Sequence, residues 1–169
     1  MKMKFSYFYL LLVFVVASCS KGGSNEDGSA KIRCTIDGVD KVFNTAATAI
    51  RYDEAGNYSV QIIGFEGSQT SNHISLSLVG NQAIRATDYT EDGGDTDDTR
   101  IGMIAYTQKQ GDATYLSDDS DTNPARITIT SISQTSVQGT FTGEIFLVDS
   151  NDDSPAARMV TNGTFNVEF

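Results

Sequence analysis

The chain has 169 residues, of which 22 are acidic and 12 are basic, so its formal net charge is −10 at neutral pH. This acidity argues against nucleic acid as a partner, because phosphate binding requires a cationic surface. It equally argues against electrostatic adhesion to anionic lipid headgroups.

Residues 1–18 have the order of a secretion signal. Lys2 and Lys4 give a basic start, and an apolar stretch follows from Phe5 to Ala17. The 13 residues of that stretch would span only about 20 Å as a helix, whereas the hydrocarbon core of a bilayer is roughly 30 Å thick. A retained transmembrane helix is therefore not expected.

The end of this segment, Val16-Ala17-Ser18-Cys19, resembles the lipobox of bacterial lipoproteins, in which an aliphatic residue and two small residues precede a cysteine. The resemblance implies cleavage before Cys19 and acylation of its thiol by chains such as palmitate, because a thiol is nucleophilic enough to form the thioether. Several acyl chains make a stable anchor. The expected location is the cell envelope, most simply the outer membrane, on its periplasmic or surface side. The alternative is an ordinary signal peptide cut nearby, with Cys19 incidental.

The rest of the chain divides into a tether and one domain. Residues 19–30 comprise the lipidated cysteine and a flexible Gly-, Ser- and Asn-rich segment, and residues 31–169 are long enough for a single domain with its own core. Cleavage leaves ten of the twelve basic residues beside all 22 acids, a formal balance of −12.

The hydrophobic period after residue 30 is two, which predicts an all-β domain. The first hairpin turns at Asp37-Gly38, and a second one turns within residues 53–57. Cys34 alternates with Ile32 and Ile36, so we expect it on the apolar face of a strand rather than in a reactive site. The predicted strands are residues 31–36, 39–43, 46–52, 58–65, 73–78, 101–107, 126–131, 137–148 and 159–169.

Two of these strands contain the same short pattern, Gly139-Thr140-Phe141 and Gly163-Thr164-Phe165. We interpret the pattern as two paired strands rather than as a repeat. Phe141 and Phe165 are predicted core residues. Because Phe146 and Val148 fall on the opposite face, we expect this strand either to be covered on both sides near its end or to bend through a bulge at Gly143.

About nine or ten short strands at this spacing favour a single antiparallel β-sandwich, with a closed or partly open, lipocalin-like β-barrel as the alternative. The overall plan, from the lipobox through Cys34-Thr35-Ile36-Asp37-Gly38 to Asn162-Gly163-Thr164-Phe165, resembles small Bacteroidetes lipoproteins of unknown function. That resemblance implies a fold and brings no activity with it.

Clustered acids in three predicted loops make calcium the cation to consider, since it prefers carboxylate, amide and hydroxyl oxygens. Residues 119–123 and 149–153 begin like EF-hand loops, but Pro124 and Ser154 replace the required glycine, so an EF-hand is excluded. A looser site between loops stays open, as do acidic loops that only keep the surface soluble. The candidate calcium ligands are Asp92, Asp95, Asp97, Asp119, Asp121, Asp149, Asn151 and Asp153.

Catalysis has little support in the sequence, because the single histidine, His73, lies on the polar face of a predicted strand without a nucleophile elbow. The expected function is that of a membrane-anchored, non-enzymatic binding or assembly module that meets a protein, a glycan or a cation, with no nucleic-acid partner and no cofactor other than the calcium considered above. One alternative is a β-barrel that carries a small apolar ligand. Another is a hydrolase of an envelope polysaccharide, which would need two carboxylates at a defined separation.

Overall fold

A computed structural model of the chain describes residues 30–54, 56–93, 98–109, 113–117, 120, 122–148 and 156–169. These residues form strands, turns and irregular segments, which confirms the all-β prediction. Within this part of the chain, no helix is long and apolar enough to cross a bilayer.

The strands, numbered in chain order, are β1 (Lys31–Ile36), β2 (Val39–Phe43), β3 (Thr45–Glu54), β4 (Asn57–Phe65), β5 (His73–Gly80), β6 (Asp88–Thr90), β7 (Arg100–Gln108), β8 (Ala113–Leu116), β9 (Arg126–Ile132), β10 (Ser136–Leu147) and β11 (Ala157–Glu168). They belong to one sheet in the order β2-β1-β11-β10-β9-β6-β7-β5-β4-β3, and β8 pairs with both β7 and β10. Nine of the eleven correspond to predicted strands, whereas β6 and β8 were not predicted. The sheet is mixed, because β6 runs parallel to β7 while every other pairing is antiparallel.

The sheet folds over so that its two halves pack face to face, an arrangement that agrees with a sandwich or a partly open barrel. Phe43 lies on one half and Tyr106 lies on the other half. Their rings pack edge to face, with the ring centroids 6.2 Å apart. The core between the halves consists of inward-facing side chains on alternate positions of each strand. Burying each such aliphatic or aromatic side chain contributes about 1.5–3 kcal/mol.

The two edge strands of the sheet, β2 and β3, follow each other in the sequence, because only Asn44 separates them. The β3 edge also approaches the far end of β11. The Thr48 hydroxyl donates a hydrogen bond to the Glu168 carbonyl oxygen at 3.2 Å. Arg51 donates to the Ser133 carbonyl oxygen at 2.9 Å, and its guanidinium lies 4.2 Å from the centroid of the Phe169 ring. These contacts hold the two halves together where no strand pairing joins them.

The predicted first turn is confirmed. Asp37 and Gly38 both have positive φ, 50° and 80°, as a type I′ hairpin turn requires, and β1 pairs with β2 from Ile36↔Val39 onward. The predicted bulge is also present: the β10–β11 register shifts between Phe141 and Gly143.

Candidate binding surface

Most of the site residues predicted from the sequence lie outside the described residues. These are Cys19, Asp95, Asp97, Asp119, Asp121, Asp149, Asn151 and Asp153. Asp92 is described, in the turn after β6, where its carboxylate accepts a hydrogen bond from the Thr90 hydroxyl. In the described ranges, no group of three or more His, Cys, Asp or Glu side chains is placed to hold a metal ion. Lipidation at Cys19 and calcium binding by the loops stay predictions.

The structure does bring two of the acidic loops together, at Ser120. The Ser120 amide donates to Glu91 Oε2 at 3.1 Å, and its hydroxyl donates to Glu144 Oε2 at 2.8 Å. The Thr122 hydroxyl also donates to Glu144 Oε2, at 3.2 Å. These bonds link the loop after β6, the loop after β8 and strand β10. Ser120, which makes two of them, is buried. The contacts satisfy the Glu144 carboxylate with hydroxyl donors and explain how the loops are held.

Cys34 lies in the core, as its alternation with Ile32 and Ile36 predicts. Burial, reinforced by the nearby Glu66 carboxylate, raises the pKa of the Cys34 thiol to about 12. A thiol is nucleophilic only as the thiolate, so this one behaves as a small apolar side chain.

The two outer surfaces of the folded sheet differ in chemistry. We call the outer surface of β2, β1, β11, β10, β9 and β6 the polar face. Its rows follow the strand register: Thr164 lies between Arg33 and Thr140, and Thr140 faces Thr128 on β9. Most outward side chains are hydroxyls, amides and charged groups, including Lys31, Arg33, Thr35, Asp40, Asp88, Thr90, Arg126, Thr128, Thr130, Ser131, Ser136, Gln138, Thr140, Thr142, Glu144, Asn162, Thr164, Asn166 and Glu168; Val42, Phe146 and Met159 are apolar.

Three grooves adjoin one another across the polar face. One of about 270 Å³ is bordered by Lys31, Arg33, Gln138 and Asn166 among others. A second, of about 450 Å³, lies over β9, β10 and β11 and shares Thr164 with the first. The third, of about 350 Å³, lies over β1 and β2 and shares Arg33 with the first. Together they form a continuous polar band.

Two cations in this band have no side-chain partner among the described residues. Arg126 is ion-paired with Asp88 at 3.4 Å, and Asp40 accepts a hydrogen bond from Thr35 at 2.9 Å. In contrast, Lys31 and Arg33 make no side-chain hydrogen bond or ion pair in the part of the chain that the structure describes, and the Arg33 Nε atom is buried without an acceptor. In a protein with almost twice as many acids as bases, two neighbouring unpaired cations are a specific feature.

Sequence reasoning directed attention to the acidic loops and missed this pair. The signal was present, because Lys31 and Arg33 alternate with the buried Ile32 and Cys34 and so had to project from the outer side of the first strand. The sequence did not show which strands would pair with β1. That pairing places Asn166 and Gln138 beside Lys31 and Arg33. The band can donate hydrogen bonds from two cations, amides and hydroxyls to an anionic ligand. In comparisons with known proteins, no family model, no curated protein and no solved structure matches this chain.

Proposed function

We propose that this protein is a lipid-anchored, extracytoplasmic and non-enzymatic binding module whose polar face binds an acidic, hydroxyl-rich ligand such as a uronic-acid polysaccharide. Cys19 is the acylated residue, and the segment up to residue 30 is the tether that spaces the domain from the membrane. The observation that carries the proposed ligand class is the unpaired Lys31–Arg33 pair in a polar groove.

The anchor is supported by the sequence alone. A basic start, a short apolar stretch and Val16-Ala17-Ser18-Cys19 occur in the order that lipoprotein processing requires. The polar tether follows at once. With a surface this acidic, direct adsorption to anionic lipid is unfavourable, so attachment falls to the acyl chains.

The ligand class follows from the donors in the groove. Lys31 and Arg33 are two residues apart on one strand face, which separates their Cα atoms by about 6.6 Å. An arginine can bind a carboxylate through two parallel hydrogen bonds, and such charge-assisted bonds are stronger than neutral ones. Gln138, Asn166 and Thr164 surround the pair with groups suited to sugar hydroxyls. The acids elsewhere are screened beyond about 8 Å at physiological salt, so binding is local, modest in affinity and weakened by salt.

A non-enzymatic role is proposed because the two side chains best suited to nucleophilic or general-base chemistry are not available at the polar face. Cys34 borders the third groove but is buried in the core, and burial holds its thiol protonated. His73 lies on the opposite outer surface, beside Phe65 at a ring-centroid distance of 5.2 Å.

The ligand proposal is tested by titrating residues 20–169 with oligogalacturonate and, in parallel, with a neutral cello-oligosaccharide of equal length. We expect binding of the acidic probe only, with affinity falling as salt rises. Arg33→Gln removes charge-assisted hydrogen bonds and should weaken binding roughly tenfold or more. The matched control is Arg85→Gln, which removes a cation paired with Asp98 and absent from the groove residues. Equal binding of both probes, or equal effects of the two variants, would refute the proposed site.

The anchor is tested separately by labelling cells with a palmitate analogue. The full-length chain should be labelled and recovered in membranes. The Cys19→Ala variant should not be labelled and should not be recovered in membranes. Intact mass measurement that finds Met1 retained on the native protein would overturn the anchor and leave the ligand proposal standing.

A further inference from the structure

Most of the second outer surface of the sheet is free of charged residues. Glu54, the last residue of β3, projects outward beyond Tyr52. We call the rest of the outward side of β3, β4, β5, β7 and β8 the uncharged face. The strand register defines it as four rows of outward residues: Tyr52, Ser59, Val79 and Ile101; Ile50, Gln61, Ser77 and Met103; Thr48, Ile63, Ser75, Ala105 and Leu116; Thr45, Phe65, His73, Thr107 and Thr114. At the 20% charged content of the chain, eighteen positions would hold three or four charged residues, yet this face holds none.

Large apolar side chains are concentrated on this face. Of the eight large hydrophobic side chains that are exposed in the described residues, five belong to it. These are Ile50 (43% exposed), Tyr52 (55%), Val79 (37%), Met103 (43%) and Leu116 (41%). Contiguous exposed apolar surface on a soluble domain usually marks an interaction surface. The one basic side chain in the four rows is His73, whose pKa is lowered by burial, which favours the neutral imidazole.

The shape of the uncharged face is compatible with packing against the same face of a second molecule. Strand β5 contributes the small residues Ser75 and Ser77 to the middle rows. In the second row Ser77 lies between Gln61 on β4 and Met103 on β7, and in the third row Ser75 lies between Ile63 and the small Ala105. A shallow trough therefore follows β5, with larger side chains on both sides at Ser77 and on the β4 side at Ser75. Under a two-fold rotation, a ridge of one molecule can enter the trough of the other, as the inner faces of packed sheets do at about 10 Å separation.

Charge favours the same partner. Two molecules of net charge −12 repel each other wherever their acids meet, but face-to-face contact through the uncharged rows brings no carboxylates together. Five strands spaced about 4.8 Å apart, four of them with four outward residues and β8 with two, give a patch of at most about 24 by 20 Å. Pairing two such corrugated patches buries on the order of 1,000 Å² in total, near the lower limit for a specific interface.

We propose that the protein forms a symmetric dimer in which the uncharged faces of two copies pack against each other. The proposal does not depend on the lipid anchor or on the ligand of the polar face, which lies on the other side of the domain and stays accessible. Each protomer contributes the same rows, and the affinity is in the micromolar range expected of a small interface.

The test is sedimentation of residues 20–169 over a wide concentration range, at low and high salt. We expect a monomer–dimer equilibrium that strengthens with salt, because screening reduces repulsion between the acidic molecules. Met103→Lys and Ser77→Lys each place a charge in the second row and should raise the dimer Kd at least about tenfold. Thr140→Lys, the same type of change at an exposed position of the polar face, should leave it unaltered.

Circular dichroism and thermal melting of each variant establish that it is folded. A wild-type protein that remains monomeric at the highest concentration overturns the dimer, as does a dimer that Thr140→Lys disrupts and Met103→Lys does not. Monomeric wild-type protein that instead cosediments with zwitterionic vesicles through Met103 also overturns it and assigns the face to lipid. Because the predicted salt dependence is opposite to that of ligand binding, failure of one proposal is distinguishable from failure of the other.

Discussion

Phe165 on β11 lies directly opposite Gly139 on β10, so that the aromatic ring occupies the space a side chain at Gly139 would need. The relationship is reciprocal, because Phe141 on β10 is paired with Gly163 on β11, and the two rings lie 6.4 Å apart. Each Gly-Thr-Phe segment thus supplies the glycine that admits the other's phenylalanine. This explains why the same three residues occur twice, and it confirms that they mark paired strands.

The first prediction concerns these glycines. A Cβ at Gly139 would overlap the Thr128 carbonyl oxygen and lie 2.5 Å from Phe165 Cζ, and one at Gly163 would lie 2.6 Å from Phe141 Cδ2. Gly139→Ala and Gly163→Ala should each destabilise the fold by about 3 kcal/mol or more, at the upper end of overpacking effects. Urea denaturation measures this. Gly67→Asn, at an open position with φ of +74°, should change stability by less than about 0.5 kcal/mol, and a comparable loss there would contradict the explanation.

The second prediction concerns Arg51, which joins the β3 edge to the end of β11. Arg51→Gln removes the guanidinium from the Phe169 ring and its hydrogen bond to Ser133. Because the site is partly solvated, we expect a loss of about 1 kcal/mol in unfolding free energy. Arg85→Gln breaks only a surface ion pair and should have a smaller effect. Equal losses would show that the Arg51 contacts stabilise the fold no more than a surface ion pair does.

The third prediction concerns the Cys34 thiol. In residues 20–169 it is the only cysteine, and burial raises its pKa to about 12. It should not react with Ellman's reagent in the native state at pH 8, yet it should give one equivalent at once in guanidinium chloride. Rapid reaction of the native protein would mean that the core around β1 opens readily.

The fourth prediction concerns pH. Burial lowers the pKa of His73 below its ordinary value of 6.5, so the unfolded chain takes up a proton more readily than the folded one. Stability should therefore fall as pH decreases through 6.5 toward the folded pKa, and then level off for this group. The wild type should lose stability over that range relative to His73→Gln, measured by melting temperature at low protein concentration. Parallel pH profiles for the two proteins would refute this assignment.

Sequence patterns were sufficient for the longer elements and for their faces. Alternation over six or more residues, as in Lys31–Ile36, identifies both the strand and its buried side. Strands β6 and β8 were not predicted, because a segment of three or four residues is too short to show an alternating pattern. Each of them buries a single aromatic residue, Tyr89 in β6 and Tyr115 in β8. The two outer faces could not be predicted, since each depends on which strands become neighbours, and that information is not local.

The calcium hypothesis, which stays a prediction, depends on contacts that a sequence pattern does not reveal. Acidic spacing such as Asp119-Ser120-Asp121 identifies available oxygens without showing what they meet. For Ser120, the partners are carboxylates of Glu91 and Glu144, which lie far away in the sequence. Which oxygens converge is decided by the tertiary fold.

The position of β1 between β2 and β11 has a consequence for how the molecule is made. A chain that emerges amino terminus first completes its opening hairpin early, but the remaining edge of β1 acquires its neighbour only when the final strand, Ala157–Glu168, arrives. Until then the hairpin exposes Ile32 and Ile36, which the finished protein buries. A nascent chain that stops before β11 therefore leaves the edge of β1 unpaired and is open to degradation or aggregation.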